Sequence, residues 1–438
     1  MVEKFRFFSK EFFLIAAFLM LLVLKDFAGV SVPSILFTVV WFAIILFCST
    51  NVGGAFSIAA VICFASTISI TIPIVFYMVV VLVRNKKLGR LNPIFAISII
   101  VAVIELARLF LLKDESFNVY VNMMAVVFLT ATIITGILNG DVEPSMCLKF
   151  YLGLFVFLSV DIIWATAKVV GNIGGIISGS FRIGQVDLFD STMEGLLGMN
   201  SNGIALLAMV AVAVILLMFN KRYLSLLWSI IGIIFAAFVG FLTVSKTFIL
   251  VFAGTYLLYL VWYILRSNGK NATPIFVLAV SIVALIVLPQ TTIVKNVLDR
   301  FSSGDLTTGR IDVANEYLDF MFKDFSRVIL GMGLQNITIK SGFVHVPHNA
   351  ILEIFVCFGI VGILMFSVYF INLIKMNIGY RKNNSLEKAN FINYLPIIVY
   401  AVFIQSLQFM RINYIYAMIA IVFACLTLVS NKRKGDKF

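Results

Sequence analysis

Both histidines of the chain, His345 and His348, lie in one short stretch of sequence. The unperturbed pKa of histidine is near neutrality, which suits its side chain to proton transfer. A lone loop histidine is usually surface decoration, but a chain with no histidine elsewhere favours a chemical role. We therefore take His348 as the candidate general base. A His-x-x-His metal pair is the weaker alternative because no third ligand stands nearby, so we expect no metal and no other cofactor.

Several cationic side chains stand on the same predicted side of a membrane as the histidines, in loops or at the ends of apolar segments. They are Arg182, Lys246, Arg300, Arg310, Arg327 and Arg411. Arginine presents a planar fork of donors that matches phosphate oxygens, and lysine presents a point charge. These residues predict an anion-binding site, with Arg310 and Lys246 as its strongest members. The alternative is attraction to anionic lipid headgroups.

One acidic residue follows the candidate base closely. Glu353 comes five residues after His348, inside a predicted helix. Its carboxylate either orients the histidine or a bound acceptor, or it places favourable negative charge at the start of the helix. Both interpretations stay open.

The elements that must position these residues are membrane helices, as the composition indicates. Hydrophobic residues make up 62% of the 438 residues and charged residues only 12%, where an ordinary soluble domain carries about a quarter charged residues. The mean hydropathy is +1.08. The net charge of +12 does not indicate nucleic-acid binding, because Lys and Arg are confined to short loops between apolar segments. The sequence therefore predicts an all-α, polytopic membrane protein.

Apolar stretches long enough to cross a bilayer recur along the chain. The clearest are residues 92–112, 119–138, 147–168, 202–219, 224–243, 248–265, 274–288, 350–373, 391–407 and 414–429. Basic loops are separated by even numbers of spans, so the positive-inside rule places these loops and both termini in the cytoplasm. Residues 11–24 and 34–47 add two spans, and the run 55–83 is a tight pair unless one earlier segment does not cross. We expect about fourteen helices, with about twelve as the alternative.

This topology divides the chain into three parts. Residues 1–288 hold transmembrane helices and an outer loop at 169–201, residues 289–349 form a large extracytoplasmic loop, and residues 350–438 hold the last helices and a basic cytoplasmic tail. Apolar residues recur at helical spacing in the large loop, at Ile293, Val294, Val297, Leu298 and Phe301 and again at Ala314, Tyr317, Leu318, Met321 and Phe325. They predict two amphipathic helices that lie on the membrane surface or pack on the protein as a lid.

The order of several short motifs resembles the O-antigen polymerase and O-antigen ligase family (Wzy and WaaL type). In the large loop these are Thr-Gly-Arg at 308–310 and Gly-Met-Gly-Leu at 331–334. His-Asn-Ala-Ile-Leu-Glu at 348–353 spans the end of the loop and the start of the next predicted helix, in which Gly-Ile-Val-Gly at 359–362 follows. Upstream, Phe-Arg-Ile-Gly at 181–184 and Asn-Ser-Asn-Gly at 200–203 are similar to further motifs of the family. Leu-Thr-Val-Ser-Lys at 242–246 resembles a serine–arginine motif, but Lys246 stands where the family usually has arginine.

The resemblance implies a reaction. Members move an oligosaccharide from undecaprenyl pyrophosphate to a sugar acceptor at the outer face of the cytoplasmic membrane, and they resemble metal-independent glycosyltransferases of the C type. His348 would take the proton from the attacking hydroxyl group, and the cations would stabilise the leaving pyrophosphate. The predicted substrate-binding residues are Arg310, Lys246, Arg182, Arg300, Arg411, His345, Glu353 and Asn349.

We expect a polymerase of lipid-linked repeat units of a capsule, exopolysaccharide or O-antigen, in a bacterial cytoplasmic membrane. A ligase that transfers glycan to lipid A core or to protein is the nearest alternative. Richness in Phe, Ile and Lys, found in low-GC genomes, favours a capsule or exopolysaccharide product. A lipid-linked oligosaccharide flippase is the rival from another class, although no internal repeat supports it. The expected partners are the lipid-linked oligosaccharide, the bilayer, a chain-length regulator and a flippase, and no nucleic acid.

Overall fold

The computed structural model describes residues 10–64, 71–85, 100, 103, 142–178, 180–184, 201–220, 223–266, 292–302, 310–333 and 349–379. All regular secondary structure in these residues is helical, so the all-α prediction is confirmed for this part of the chain. The predicted spans 92–112 (apart from residues 100 and 103), 119–138, 274–288, 391–407 and 414–429 lie outside the described residues.

The described helices are labelled here in chain order. They are α1 (Lys10–Leu22), α2 (Ser34–Phe47), α3 (Thr50–Phe64), α4 (Thr71–Asn85), α5 (Pro144–Val170), α6 (Ile173–Ile177), α7 (Ser201–Asn220), α8 (Leu226–Leu242), α9 (Lys246–Arg266), α10 (Thr292–Ser302), α11 (Arg310–Phe322), α12 (Phe325–Leu330) and α13 (Ala350–Gly379). A π-helical turn, Val23–Phe27, continues α1. Two helices, α3 and α4, contain residues 55–64 and 71–83 of the run 55–83, and whether this run crosses twice stays a prediction.

The length of the helices bears on the membrane prediction. Among the described residues, one helix, Ser145–Val170, is long and apolar enough to cross a bilayer by itself. Other apolar helices are shorter: Ser34–Phe47, Thr50–Val61, Gly203–Phe219, Leu226–Leu242, Lys246–Tyr259 and Ile351–Met365. The number of crossings therefore stays a prediction from the sequence.

The chain divides into two compact units. The first comprises Met1–Leu154, Asp312–Ile378 and Ser406–Phe438, and the second comprises Phe155–Ile311 and Gly379–Gln405. Arg182 and Lys246 belong to the second unit, whereas Asn349 and Glu353 belong to the first.

Aromatic side chains form a core among the N-terminal helices of the first unit. The ring of Phe18 on α1 makes edge contacts with Phe37, Trp41 and Phe56, at centroid distances of 5.8, 5.9 and 5.2 Å. Trp41 Nε1 donates a hydrogen bond to Ser57 Oγ (2.9 Å). The polar atom of the indole is thus satisfied inside an apolar core, as buried tryptophan requires.

Two hydrogen bonds gather helix ends at one end of these N-terminal helices. The Ser49 N–H donates to Glu11 Oε1 at the start of α1 (3.0 Å). The Glu143 N–H, just before α5, donates to Asn51 Oδ1 at the start of α3 (2.7 Å). The predicted topology places all four residues at the cytoplasmic ends of their segments, and that orientation stays a prediction.

In the second unit α7 occupies the centre, and every residue from 203 to 218 is buried. Its neighbour α8 instead exposes large apolar side chains, among them Leu227, Trp228 and Ile234. A helix that is apolar on all sides fits the interior of a bundle, and an exposed apolar face fits contact with lipid. The packing of the two helices is therefore consistent with a membrane setting.

The predicted helices of the large outer loop are present as α10 and α11, but the second one ends earlier than its apolar pattern suggested. Tyr317 and Met321 on α11 are fully buried, as expected, whereas Phe325 is 79% exposed. Phe325 starts a new helix, α12, because the Asp324 side chain caps that helix by accepting the Ser326 N–H (2.9 Å). The prediction that Phe325 shares the buried stripe of α11 is wrong for this reason.

A close approach between α8 and α9 generates a test of the packing. A Cβ atom at Gly240 would overlap the ring of Phe248, which is held by its stack on Phe252 at a centroid distance of 5.5 Å. We expect Gly240→Ala to destabilise the protein by about 1–3 kcal/mol, seen as a lower melting temperature of the purified protein in detergent. Gly254→Ala, with nothing within 4 Å of the added Cβ, is the control and should melt no lower than wild type. Equal melting of the two variants would contradict this packing.

Candidate active site

Three of the sequence motifs converge in the second unit, around the turn between α8 and α9. The Ile183 N–H donates to the last carbonyl of α8 (3.1 Å), and Arg182 Nε donates to the carbonyl of Thr243 (2.9 Å). The N–H of Ser201, the first residue of α7, donates to the carbonyl of Gly184 (3.0 Å). We call residues 182–184, 201 and 242–246 the Thr243 junction.

The turn at the centre of the junction has a strained backbone. Val244 has a φ of 47°, in the left-handed region that a β-branched residue rarely adopts. Such a conformation costs about 1–3 kcal/mol and persists where its surroundings hold it and where function uses it. Here the bonds from Arg182 and Ile183 hold the turn from one side, and the buried Val244 side chain, 2% exposed, holds it from within.

The turn sets where α9 begins. Ser245 Oγ accepts the Phe248 N–H (3.4 Å) and so caps the helix. Lys246 is the first helical residue and is half-buried. The start of a helix carries a partial positive charge, to which the lysine ammonium adds, and this combination suits an anion. The role of Lys246 in binding an anion stays a prediction.

Arg182 has a contact that its predicted role did not include. Its Nε donates to the carbonyl of Thr243, three residues before Lys246. The arginine therefore holds the turn after which the helix of Lys246 begins. A lysine could not replace it there without losing the rigid fork. The expected contact between Arg182 and a pyrophosphate stays a prediction.

In the first unit, the start of α13 is defined by Asn349. Its Oδ1 accepts the N–H groups of Ile351 (2.9 Å) and Leu352 (3.1 Å), which is the geometry of an N-cap. Glu353, one turn into the helix, is 1% exposed. Its carboxylate is thus buried near the start of the helix, and both predicted roles of Glu353 stay open.

The Gly-Met-Gly motif of the same unit docks on a break in α13. The helical backbone is interrupted at Gly359 (φ 66°, ψ −158°). The Met332 N–H donates to the Val356 carbonyl and the Gly333 N–H to the Cys357 carbonyl, both at 2.8 Å. The predicted span 350–373 therefore lies within α13 and contains a kink at Gly359. We call residues 331–333 and 356–359 the Gly331–Gly359 joint.

The remaining predicted site residues are less completely placed. His345, His348 and Arg411 lie outside the described residues. The structure gives the backbone of Arg310, which opens α11, and of Arg300, near the end of α10. Their predicted roles stay predictions. Within the described ranges no group of three His, Cys, Asp or Glu residues is arranged to hold a metal ion.

In one unit Lys246 stands at a helix start, and in the other Asn349 caps the helix that follows His348 in the sequence. Residues 231–367, about a third of the chain, match the family described as O-Antigen ligase (Wzy_C). The match confirms the resemblance to the O-antigen polymerase and ligase family. Members of this family are glycosyltransferase-like enzymes of the inner membrane that act on lipid-linked glycans. No curated protein matches the chain.

The matched segment contains only part of the Thr243 junction. Lys246 lies inside it and Arg182 lies outside it. The hydrogen bond from Arg182 to Thr243 joins the two regions, so the structure connects the upstream Phe-Arg-Ile-Gly motif to the matched segment. Sequence reasoning missed the left-handed turn at Val244, for which no residue pattern gives a signal. It also missed the joint, although an isolated Gly359 in a helical pattern was a signal for close packing.

The N-cap gives the first prediction about the site. We expect Asn349→Ala to destabilise the start of α13 by about 1 kcal/mol, whereas Asn349→Ser retains a side-chain acceptor and most of that stability. Amide hydrogen exchange of Ile351 and Leu352 measures the effect. Faster exchange in the serine variant than in the alanine variant would contradict the capping role.

The cap of α12, the helix before the joint, contains a titratable carboxyl group. The pKa of the Asp324 carboxyl is lowered because the Ser326 hydroxyl and N–H donate to it (2.7 and 2.9 Å), with Arg327 Nε at 3.4 Å. A carboxylate whose pKa is lowered by folding stabilises the folded form above its unfolded-state pKa, and this contribution is lost as the pH falls through its folded-state pKa. We expect the Ser326 amide to lose exchange protection in acid, after correction for the intrinsic rate. Asp324→Asn keeps a capping side chain that does not titrate. An equal loss of Ser326 exchange protection in that variant would show that the Asp324 carboxyl is not the cause.

Proposed function

We propose that this chain is a polytopic membrane glycosyltransferase that polymerises lipid-linked oligosaccharide repeat units at the outer face of a bacterial cytoplasmic membrane. The observation that supports this most is the Thr243 junction. It sets Lys246 at a helix start inside the segment that matches the O-antigen ligase family. The second support is the capped helix start at Asn349, directly after the candidate base His348.

The proposed chemistry is a displacement at the anomeric carbon of the donor sugar. The hydroxyl oxygen of the acceptor sugar attacks this carbon, and the bond from the carbon to the pyrophosphate oxygen breaks. Undecaprenyl pyrophosphate leaves with the bonding electron pair. His348 accepts the proton of the attacking hydroxyl group. Arg310 and Lys246 stabilise the negative charge that grows on the leaving oxygen. The reaction is balanced without a metal ion or another cofactor.

The other candidate residues have supporting roles in this proposal. Arg182 holds the turn before Lys246, and Asn349 fixes the helix start next to His348. Glu353 orients the base or the acceptor from its buried position on α13. Arg300, Arg411 and His345 are further substrate-binding candidates on the predicted outer side.

A ligase is the second candidate, because the matched family carries the description O-Antigen ligase. A ligase uses the same bond-breaking step but transfers a finished chain once, to lipid A core or to a protein. A polymerase produces a ladder of chain lengths that differ by one repeat unit. The distribution of product lengths therefore separates the two.

The test of the proposal uses His348→Ala and Arg310→Ala in cells, compared at equal protein levels in the membrane. We expect each to lower long-chain polymer by about 100-fold or more. A general base contributes about 10²–10⁴-fold, and loss of one group that stabilises transition-state charge costs about 10²–10³-fold. Lys295→Ala and Lys323→Ala remove exposed cations from α10 and from the residue after α11. As charge controls they should leave polymer length unchanged.

The location of single repeat units distinguishes an enzyme from a flippase. A defective polymerase leaves lipid-linked units at the outer face, where an external glycosidase or lectin reaches them. A defective flippase leaves them at the inner face. Unchanged polymer in both His348→Ala and Arg310→Ala, or units trapped inside, would overturn the proposal.

A further inference from the structure

The half-helix 350–358 of α13 is fixed at both of its ends. At its start Asn349 caps the first turn, and the Glu353 N–H donates to the Asn349 carbonyl (2.8 Å). At its end the N–H groups of Met332 and Gly333, in the Gly-Met-Gly segment of the joint, donate to the carbonyls of Val356 and Cys357. The half-helix and the joint therefore form one block, separated by Gly359 from the rest of α13.

The break at Gly359 leaves carbonyl groups that a second segment has to satisfy. In an unbroken α-helix the carbonyls of Val356 and Cys357 would accept hydrogen bonds from the amides four residues later, within the same helix. The break releases both carbonyls, and an unpaired carbonyl in an apolar setting is costly. Two backbone N–H groups of another segment donate to these carbonyls. Because a regular helix would satisfy both carbonyls by itself, we look for a functional reason for the break at Gly359.

Glycine is required on both sides of the joint. Gly331 and Gly359 have φ values of 73° and 66°, which disfavour any L side chain. A Cβ atom on Gly359 would overlap the Ile329 carbonyl and lie 2.7 Å from the Gly331 nitrogen. A Cβ atom on Gly331 would overlap the backbone at Cys357 and Phe358. Because every clashing atom is backbone, no change of side-chain rotamer relieves the overlap.

The block controls the two described residues that flank the segment containing both histidines. Gly333, the last described residue before that segment, is bonded to Cys357 at the end of the half-helix. Asn349, the first described residue after it, caps the start of the same half-helix. Glu353 lies between these two points, on the half-helix itself.

We propose that Gly331 and Gly359 are positioning residues for the proton acceptor of the reaction, which they hold in place through the half-helix that begins directly after His348. This inference rests on the proposed function. A side chain at either glycine shifts the half-helix and its cap relative to residues 331–333. We expect this shift to slow the proton transfer from the attacking hydroxyl group. Neither glycine belongs to the Thr243 junction.

The experiment measures steady-state kinetics of the purified full-length protein with undecaprenyl-pyrophosphate-linked repeat units. We expect Gly359→Ala and Gly331→Ala to lower kcat by about 10-fold or more with KM for the lipid-linked donor changed less than about 2-fold, since only an interaction made in the transition state is lost. Gly153→Ala in α5, with nothing within 4 Å of the added Cβ, is the matched control. It should keep wild-type kcat and KM.

A double-mutant cycle separates positioning from a general structural defect. If the joint acts through His348, adding Gly359→Ala to His348→Ala lowers the residual rate no further. If the joint supports the fold alone, the two losses multiply, and that result overturns the inference. A wild-type kcat in both glycine variants overturns it as well.

A second pair of variants decides the matter if the glycine variants do not fold. Met332→Pro removes the N–H that satisfies the Val356 carbonyl, and Met332→Ala keeps it. We expect the proline variant to show the kcat loss and the alanine variant to be near wild type. Equal kcat in the two would overturn the inference. A wild-type rate for His348→Ala would instead refute the proposed function, whatever the joint does.

Discussion

The structure depends on one constraint, that every backbone donor and acceptor in an apolar environment must be hydrogen-bonded within the protein. Regular helices meet this constraint on their own. Where the chain departs from regular helix, a second segment has to supply the missing partner. The Met332 and Gly333 amides do so for the break in α13, and Arg182 does so for the carbonyl of Thr243 at the turn between α8 and α9.

These two departures coincide with the motifs that indicate chemistry. In the second unit the strained turn at Val244 ends one helix and starts the next at Lys246. In the first unit the break at Gly359 separates a half-helix that carries Glu353 and is capped by Asn349. Strain of this kind is usually kept at functional sites, because a regular helix would be the more stable alternative. The motifs thus lie where a regular helix ends or breaks next to a charged or polar group.

Much of the fold was predictable because hydropathy sets the helices. The segment 34–47 was predicted with the bounds that α2 has, and the predicted spans 147–168 and 202–219 lie within α5 and α7. The misses are local and have physical causes. Asp324 caps a new helix at Phe325, so the apolar stripe of α11 ends before that residue. In α13, Gly359 lies against the backbone of Gly331, which is far from it in sequence, and the helix is broken there. For the site, residue type and motif order predicted Lys246 and Asn349, but the partnership of Arg182 with Thr243 depends on three-dimensional contact between segments far apart in sequence.

In the proposed reaction the side chains of this protein are sufficient to transfer a sugar from a lipid pyrophosphate. The most direct measurement incubates the purified protein with undecaprenyl-pyrophosphate-linked repeat units and a metal chelator, then resolves the products by length. The account predicts a ladder of chains and the release of one undecaprenyl pyrophosphate for each new glycosidic bond. A folded preparation that forms no bond, or forms one only after a divalent metal ion is added, would contradict it.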